Sequence, residues 1–127
     1  MVSFVIVSHS APLAEGVVDL ARMMARQVTM IPAGGLEDGS HGTSFEKIAA
    51  AVEAAWTEDG VILLMDMGSA VMTAEMVLEA LDKPSMVMAD CPLVEGAVTG
   101  SVLAESGAGL DEIMEELKTV AQQKKLS

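Results

Sequence analysis

Val2-Ser3-Phe4-Val5-Ile6-Val7-Ser8-His9-Ser10-Ala11-Pro12 is the stretch on which the fold turns. Val2 to Val7 is a short apolar run with little alternation, the pattern of a strand buried on both faces. Ser8-His9-Ser10 follows at once, and Pro12 stands where a helix tolerates proline, in its first turn. A buried parallel strand therefore ends in a histidine, and a helix opens just after it. In open α/β sheets, ligands bind at the carboxyl ends of the strands. A helix N-terminus there offers free backbone N–H groups and the positive end of a dipole, which favour an anion. Imidazole is a nucleophile that can carry a covalent group. His9 is thus placed to hold a phosphoryl group; the plainer alternative is a hydrogen-bonded histidine that closes a strand.

The rest of the chain continues this alternation. Aliphatic runs predict strands at 2–8, 28–31, 61–65 and 86–89. A helix over 13–25 has Leu13, Val17, Leu20 and Met24 in helical register. A second starts from Thr43 or Ser44 as cap and runs to about Trp56, with Phe45, Ile48, Ala49, Val52 and Trp56 on one face. A third opens at Gly68 or Ser69, carries Val71, Val77, Leu78 and Leu81, and ends at Asp82-Lys83-Pro84. A fourth follows Asp90-Cys91-Pro92 through Val94, Val98 and Val102. After the break Gly107-Ala108-Gly109 comes an amphipathic helix over 110–124, acidic early and basic late, as a helix dipole favours. The order β-α-β-α-β-α-β-α-α implies a doubly wound parallel sheet, core order 2-1-3-4, with helices on both faces. One α/β domain over 1–127 is expected, with a frayed tail at 124–127.

Composition narrows the function. The chain has 127 residues, 51% of them hydrophobic and 20% charged, so it can build a core and is not a disordered segment. Eleven Met beside only Phe4, Phe45 and Trp56 as aromatics predict an aliphatic, thioether-packed core. There is no Tyr, which excludes tyrosine acid chemistry. A net charge of −12 argues against nucleic acid and against anionic membrane surfaces, and favours a basic protein partner. A lone Cys91 fits a reducing cytoplasm. No Lys or Arg precedes the first apolar run, which is therefore not a signal peptide, and no apolar stretch nears the roughly 20 residues of a membrane helix.

Three loops leave the carboxyl ends of the first three strands. Loop one is Ser8-His9-Ser10, loop two the glycine-rich 32–43, and loop three Asp66-Met67-Gly68-Ser69-Ala70. In the order 2-1-3-4 the first and third strands are neighbours, ~4.8 Å apart, at the topological switch point. His9 and Asp66 are then hydrogen-bond partners. A carboxylate accepting from Nδ1 fixes the tautomer, leaves Nε2 as the free nucleophile and stabilises positive charge on the ring. Gly68 and Ser69, with Ser10 at the first helix, are candidates to present N–H and hydroxyl groups to phosphate oxygens. The plainer readings are a turn or cap role for Asp66 and an N-cap for Ser69. A Ser-His-Asp hydrolase would need Gly-x-Ser-x-Gly, which Met67-Gly68-Ser69-Ala70-Val71 does not supply. No Gly-Lys-Ser/Thr occurs, and Glu37 and Asp38 would repel a triphosphate. His9, His41 and Asp66 match no metal-ligand spacing, so no metal and no cofactor are expected. His41 reads as a solvent-facing loop residue.

These residues carry a resemblance that covers essentially the whole chain. Val5-Ile6-Val7-Ser8-His9-Ser10, the glycine loop ending Gly42-Thr43-Ser44, Leu64-Met65-Asp66-Met67-Gly68-Ser69-Ala70 and Ala89-Asp90-Cys91-Pro92-Leu93-Val94-Glu95-Gly96-Ala97 resemble the mannose-type IIA domain of the bacterial phosphoenolpyruvate-dependent sugar phosphotransferase system (PTS). The Asp-Met-Gly-Ser-Ala and Pro-Leu-Val-Glu-Gly-Ala forms resemble its dihydroxyacetone kinase branch. The resemblance implies that His9 is the phosphorylated histidine and Asp66 its supporting carboxylate. It implies HPr as donor, ADP held in DhaL as acceptor, and DhaL with DhaK as the kinase of dihydroxyacetone. It also implies a cytoplasmic homodimer. Two alternatives stay open: a IIA subunit serving a mannose-type sugar transporter through a IIB protein, and a non-catalytic regulatory module in which His9 is structural.

Overall fold

Strand β1 (Ser3–Ser8) is buried along its whole length, as the apolar run Phe4–Val7 between its two serines requires. It lies in a computed structural model that describes residues 1–126; Ser127, the end of the expected frayed tail, lies outside the described residues. The remaining elements follow in the expected order: α1 (Ala11–Arg22), β2 (Met30–Gly34), α2 (Phe45–Ala55), β3 (Val61–Met65), α3 (Gly68–Leu81), β4 (Met86–Met88), α4 (Leu93–Glu105) and α5 (Leu110–Gln122). All pairings are parallel and the sheet order is β2-β1-β3-β4. Ser8 pairs with Gly34 and Val7 with Met65, so β1, β2 and β3 end at one level. Phe4, Ile6, Ile62 and Leu64 face α1, α4 and α5; Val5, Val7, Val61 and Leu63 face α2 and α3.

Several expectations need correction. On α1 the buried face is Ala14, Val17, Val18 and Ala21, while Leu13, Leu20 and Met24 are exposed. On α4 it is Gly96, Ala97, Gly100, Ser101 and Ala104, while Val94 and Val102 point outward. The cause is close approach. A Cβ at Gly100 would stand 2.9 Å from the Phe4 ring, so the ring occupies the space a larger side chain would claim. Thioethers supply less of the core than expected: among the described residues Met30 alone is fully buried, Met65, Met86, Met88 and Met114 pack partly buried against the core, and Met23, Met24, Met67, Met72 and Met76 are largely exposed. Strand β2 begins two residues late and extends through Pro32 to Gly34, shortening loop two; as a sheet edge it tolerates a proline without a donor. The other edge, β4, is only half-buried.

The caps explain where helices begin. Ser10 Oγ accepts from Leu13 N at 3.3 Å above α1, and Ser44 Oγ accepts from Lys47 N at 3.1 Å above α2. Helix α5 stops at Gln122, and beyond it Lys125 Nζ lies 3.1 Å from Glu95.

Candidate functional site

The backbone of His9 is fixed before its side chain is considered. Its N–H donates to Asp66 Oδ2 at 3.0 Å, and its carbonyl accepts from Gly42 N at 2.9 Å. Gly35 N donates to Ser8 O, and Asp66 N donates to Val7 O, each at 3.1 Å. Loops two and three thus clamp loop one from both sides. Gly34 permits the clamp: a Cβ there would meet Ser10 O at 2.4 Å.

Asp66 is held by four donors. Oδ1 accepts from Met67 N at 2.7 Å and lies 2.9 Å from His9 Nδ1; Oδ2 accepts from Ser8 Oγ at 2.9 Å and from His9 N. Burial pushes its pKa up, but the His9 N–H, the Ser8 hydroxyl, the His9 ring and the Met67 N–H outweigh that and hold it below the usual carboxylate value. Asp66 is therefore an ionised acceptor at neutral pH. The proton between the two groups belongs on Nδ1, an assignment made from the hydrogen-bond network. In the neutral ring Nε2 is then an acceptor.

Nε2 is not bare, as the sequence led one to expect. Ser69 Oγ lies 2.6 Å from it, and with Nδ1 protonated Ser69 is the donor. Behind Ser69, Thr43 Oγ1 donates to Ser69 Oγ at 3.5 Å, and Thr43 and Thr73 hydroxyls are 3.2 Å apart. The His9 side chain is 25% exposed and that of Asp66 14%, so the ring is sheltered on its Nδ1 side and reachable from the other.

The other anticipated residues separate. Ser69 and Gly68 open α3, whose N-terminus carries no side-chain cap; Gly68 takes φ +33, a conformation that favours glycine. Ser10 lies beside His9 in loop one; its hydroxyl oxygen accepts the α1 cap bond from Leu13 N, which leaves its O–H to donate. His41 is exposed in loop two. Ser8, Thr43 and Thr73 were not singled out. The signal for Ser8 was its place beside His9, whereas Thr43 reads equally well as the cap that Ser44 turns out to be. The carboxylates of Glu37 and Asp38 accept from the Ser44 and Ser40 hydroxyls, which lowers the pKa of each and folds loop two on itself.

Beyond Asp66 lies a cavity of about 340 Å³ lined by Met65, Val71, Met88, Ala89, Asp90 and Cys91. Burial, then Asp90 and Glu95, push the Cys91 thiol up to about 11, so it is no nucleophile at neutral pH. Among the described residues, no group of three or more His, Cys, Asp or Glu is placed to hold a metal ion, and no helix is long and apolar enough to cross a membrane.

Comparison with known proteins yields consistent findings. The family model EIIA-man, described as the PTS system fructose IIA component, matches residues 3–114. The PTS-dependent dihydroxyacetone kinase phosphotransferase subunit DhaM of Lactococcus lactis is 39% identical over 120 residues, 94% of this chain and 96% of that relative. Some relatives of that name are longer: the chain covers 28% of the Providencia stuartii phosphoryl donor subunit, at 38% identity over 98% of this chain. The mannose/sorbose-specific IIA subunit from Enterococcus faecalis superposes with a TM-score of 0.65 over 98% of this chain and 94% of the other; at 19% identity that likeness concerns the fold alone.

Proposed function

The chain belongs to the EIIA-man family, and on that footing we propose that it is the phosphocarrier of a dihydroxyacetone kinase system. Its relatives named as phosphotransferase or phosphoryl donor subunits of that kinase support the reading. The observation that carries it is a partly exposed histidine at the carboxyl end of the sheet whose Nδ1 is bonded to an ionised Asp66 and whose Nε2 is met by the Ser69 hydroxyl.

In the proposed cycle the Nε2 lone pair attacks phosphorus on the phosphorylated nitrogen of HPr. A new N–P bond forms, the donor N–P bond breaks, and its electron pair stays on the donor nitrogen. The His9 ring becomes a phosphorylated imidazolium that keeps its Nδ1 proton, and Asp66 offsets that positive charge. An oxygen of the terminal phosphate of ADP held in DhaL then attacks the same phosphorus. The N–P bond breaks, its electrons return to Nε2, and ATP is formed. DhaL with DhaK then phosphorylates dihydroxyacetone, which this chain does not touch. Gly68 and Ser69 at the start of α3 and Ser10 at the start of α1 are the proposed phosphate-oxygen donors. The carrier is proposed to work in the cytoplasm with its partners. It is proposed to act as a homodimer, for which half-buried β4 and the exposed Met72 and Met76 of α3 offer apolar surface.

The test is incubation with phosphoenolpyruvate, enzyme I and HPr, followed by intact mass. A gain of one phosphoryl group that disappears with ATP formation on adding DhaL–ADP is expected. No gain, or a phosphoryl group that passes only to a IIB protein, would overturn the assignment.

A further inference from the structure

We propose that Thr43 is a positioning residue for Ser69, and that Ser69 is a gate on Nε2 which turns between the imidazole and Thr43 as His9 gains and loses its phosphoryl group. The proposal rests on the reading of His9 as the phosphorylated residue. Its starting point is the 2.6 Å contact between Ser69 Oγ and Nε2. That hydrogen bond engages the lone pair that must form the N–P bond, and the oxygen occupies space that a phosphorus on Nε2 and its oxygens need. Ser69 has to leave before, or as, the bond forms. It is able to: it is exposed, and a serine exchanges readily among staggered rotamers.

The nearby hydroxyl is that of Thr43. At 3.5 Å its contact with Ser69 is long beside the ~2.5–3.0 Å of a good O–H···O bond, so it has slack to take up. Thr43 is itself anchored. Its hydroxyl lies 3.2 Å from that of Thr73, and the next residue, Ser44, caps α2. Ser69 and Thr73 are four residues apart on α3 and share a face. Thr43 reaches them from loop two and bridges both turns. When Nε2 carries a lone pair, the Ser69 O–H donates to it. When Nε2 carries phosphorus, Ser69 retracts toward Thr43, accepts the Thr43 O–H, and aims its own proton at a phosphoryl oxygen. Ser69 keeps its proton throughout; on acceptance one N–P bond is exchanged for another, and on delivery the N–P bond is exchanged for the new O–P bond of ATP.

The test uses Thr43→Val, which removes the hydroxyl and keeps the bulk, with Thr43→Ser, Ser69→Ala and the Thr43→Val/Ser69→Ala double variant. Rates of phosphoryl acceptance from phospho-HPr are measured as kcat and KM, together with the half-life of the phosphoprotein. Thr43→Val should lower kcat about 2- to 10-fold, the worth of one hydrogen bond, with KM little changed, and should shorten the half-life. Thr43→Ser should restore both. In the Ser69→Ala background, adding Thr43→Val should change kcat by less than about 2-fold, because its effect runs through Ser69. Should Thr43→Val fail to fold, Thr73→Val takes its place, with a smaller loss that again vanishes without Ser69. Wild-type kcat in Thr43→Val, or losses that multiply in the double variant, would overturn the proposal and leave His9 as carrier. Wild-type protein that takes no phosphoryl group would overturn both.

Discussion

The two ends of the sheet handle polar side chains differently. At the amino end they close backbone groups. Ser3 Oγ donates to Ala55 O at 2.6 Å, and Trp56 Nε1 donates to Pro84 O at 2.8 Å. At the carboxyl end side chains also cap backbone groups, but a run of them bonds to one another as well: Ser8 to Asp66, Asp66 to His9, His9 to Ser69, Ser69 to Thr43, Thr43 to Thr73. Such pairs are only ~10–15% of the hydrogen bonds in a folded protein, so their concentration in one place is informative. One end spends its polar groups on the fold. The other holds a ring in a fixed tautomer with a reactive nitrogen behind one movable hydroxyl.

The sharpest way to break this contrast is to remove the ring. His9→Ala should abolish phosphoryl acceptance, and His41→Ala should leave it intact, by intact mass; acid-labile phosphate persisting on the His9→Ala protein would sink the assignment. Next comes the carboxylate. Asp66→Asn should slow transfer ~10–100-fold, as loss of an outer orienting partner does, with the fold retained by circular dichroism. The same variant has a signature in stability. The folded pKa of Asp66 is lowered, so its contribution is present above the unfolded value of ~3.9 and is lost as pH falls through the folded one. Asp66→Asn should therefore flatten the acid arm of a denaturation-versus-pH curve; an unchanged arm would deny Asp66 its ionised hydrogen bonds.

Smaller effects sharpen the division. Association with HPr or DhaL should slow as salt rises, because the Debye length shrinks from ~10 Å at 0.1 M to ~3 Å at 1 M, while the phosphoryl step itself changes little. Stopped-flow rates flat with salt for both partners would mean that the charge of −12 serves solubility alone. At the amino end, Ser3→Ala should cost ~1–3 kcal/mol in urea denaturation, because the Ala55 carbonyl loses its side-chain donor, and should leave the transfer rate unchanged. A slowed rate there would show that the ends are not separable.

Much of this arrangement was legible in the chain. Unbroken apolar runs at β1 and β3 identified buried parallel strands, and their adjacency brought His9 and Asp66 together. The rest depended on distances that sequence patterns do not carry. Leu13, Leu20 and Met24 sat at helical spacing with Val17, but α1 buries Ala14, Val17, Val18 and Ala21, and α4 fully buries only Gly, Ala and Ser, with Gly100 against the Phe4 ring. The methionines were assigned to the core by composition; Met30, Met65, Met86, Met88 and Met114 lie in or against it, but Met72 and Met76 lie on the outer face of α3. Thr43 and Thr73 belong to different elements and meet only through the packing of α2 against α3. Ser69 was found as a helix-start residue, but nothing in its neighbourhood of sequence placed its hydroxyl on Nε2.

The central claim is that Nε2 of His9 accepts the phosphoryl group while Nδ1 keeps its proton on Asp66. Phosphorus–nitrogen correlation NMR of nitrogen-labelled protein, phosphorylated through HPr, tests it most directly. The account predicts a phosphorus coupled to Nε2 of His9 and a protonated Nδ1 on the same ring. Phosphorus on Nδ1, on His41 or as an acyl phosphate on Asp66 would contradict it.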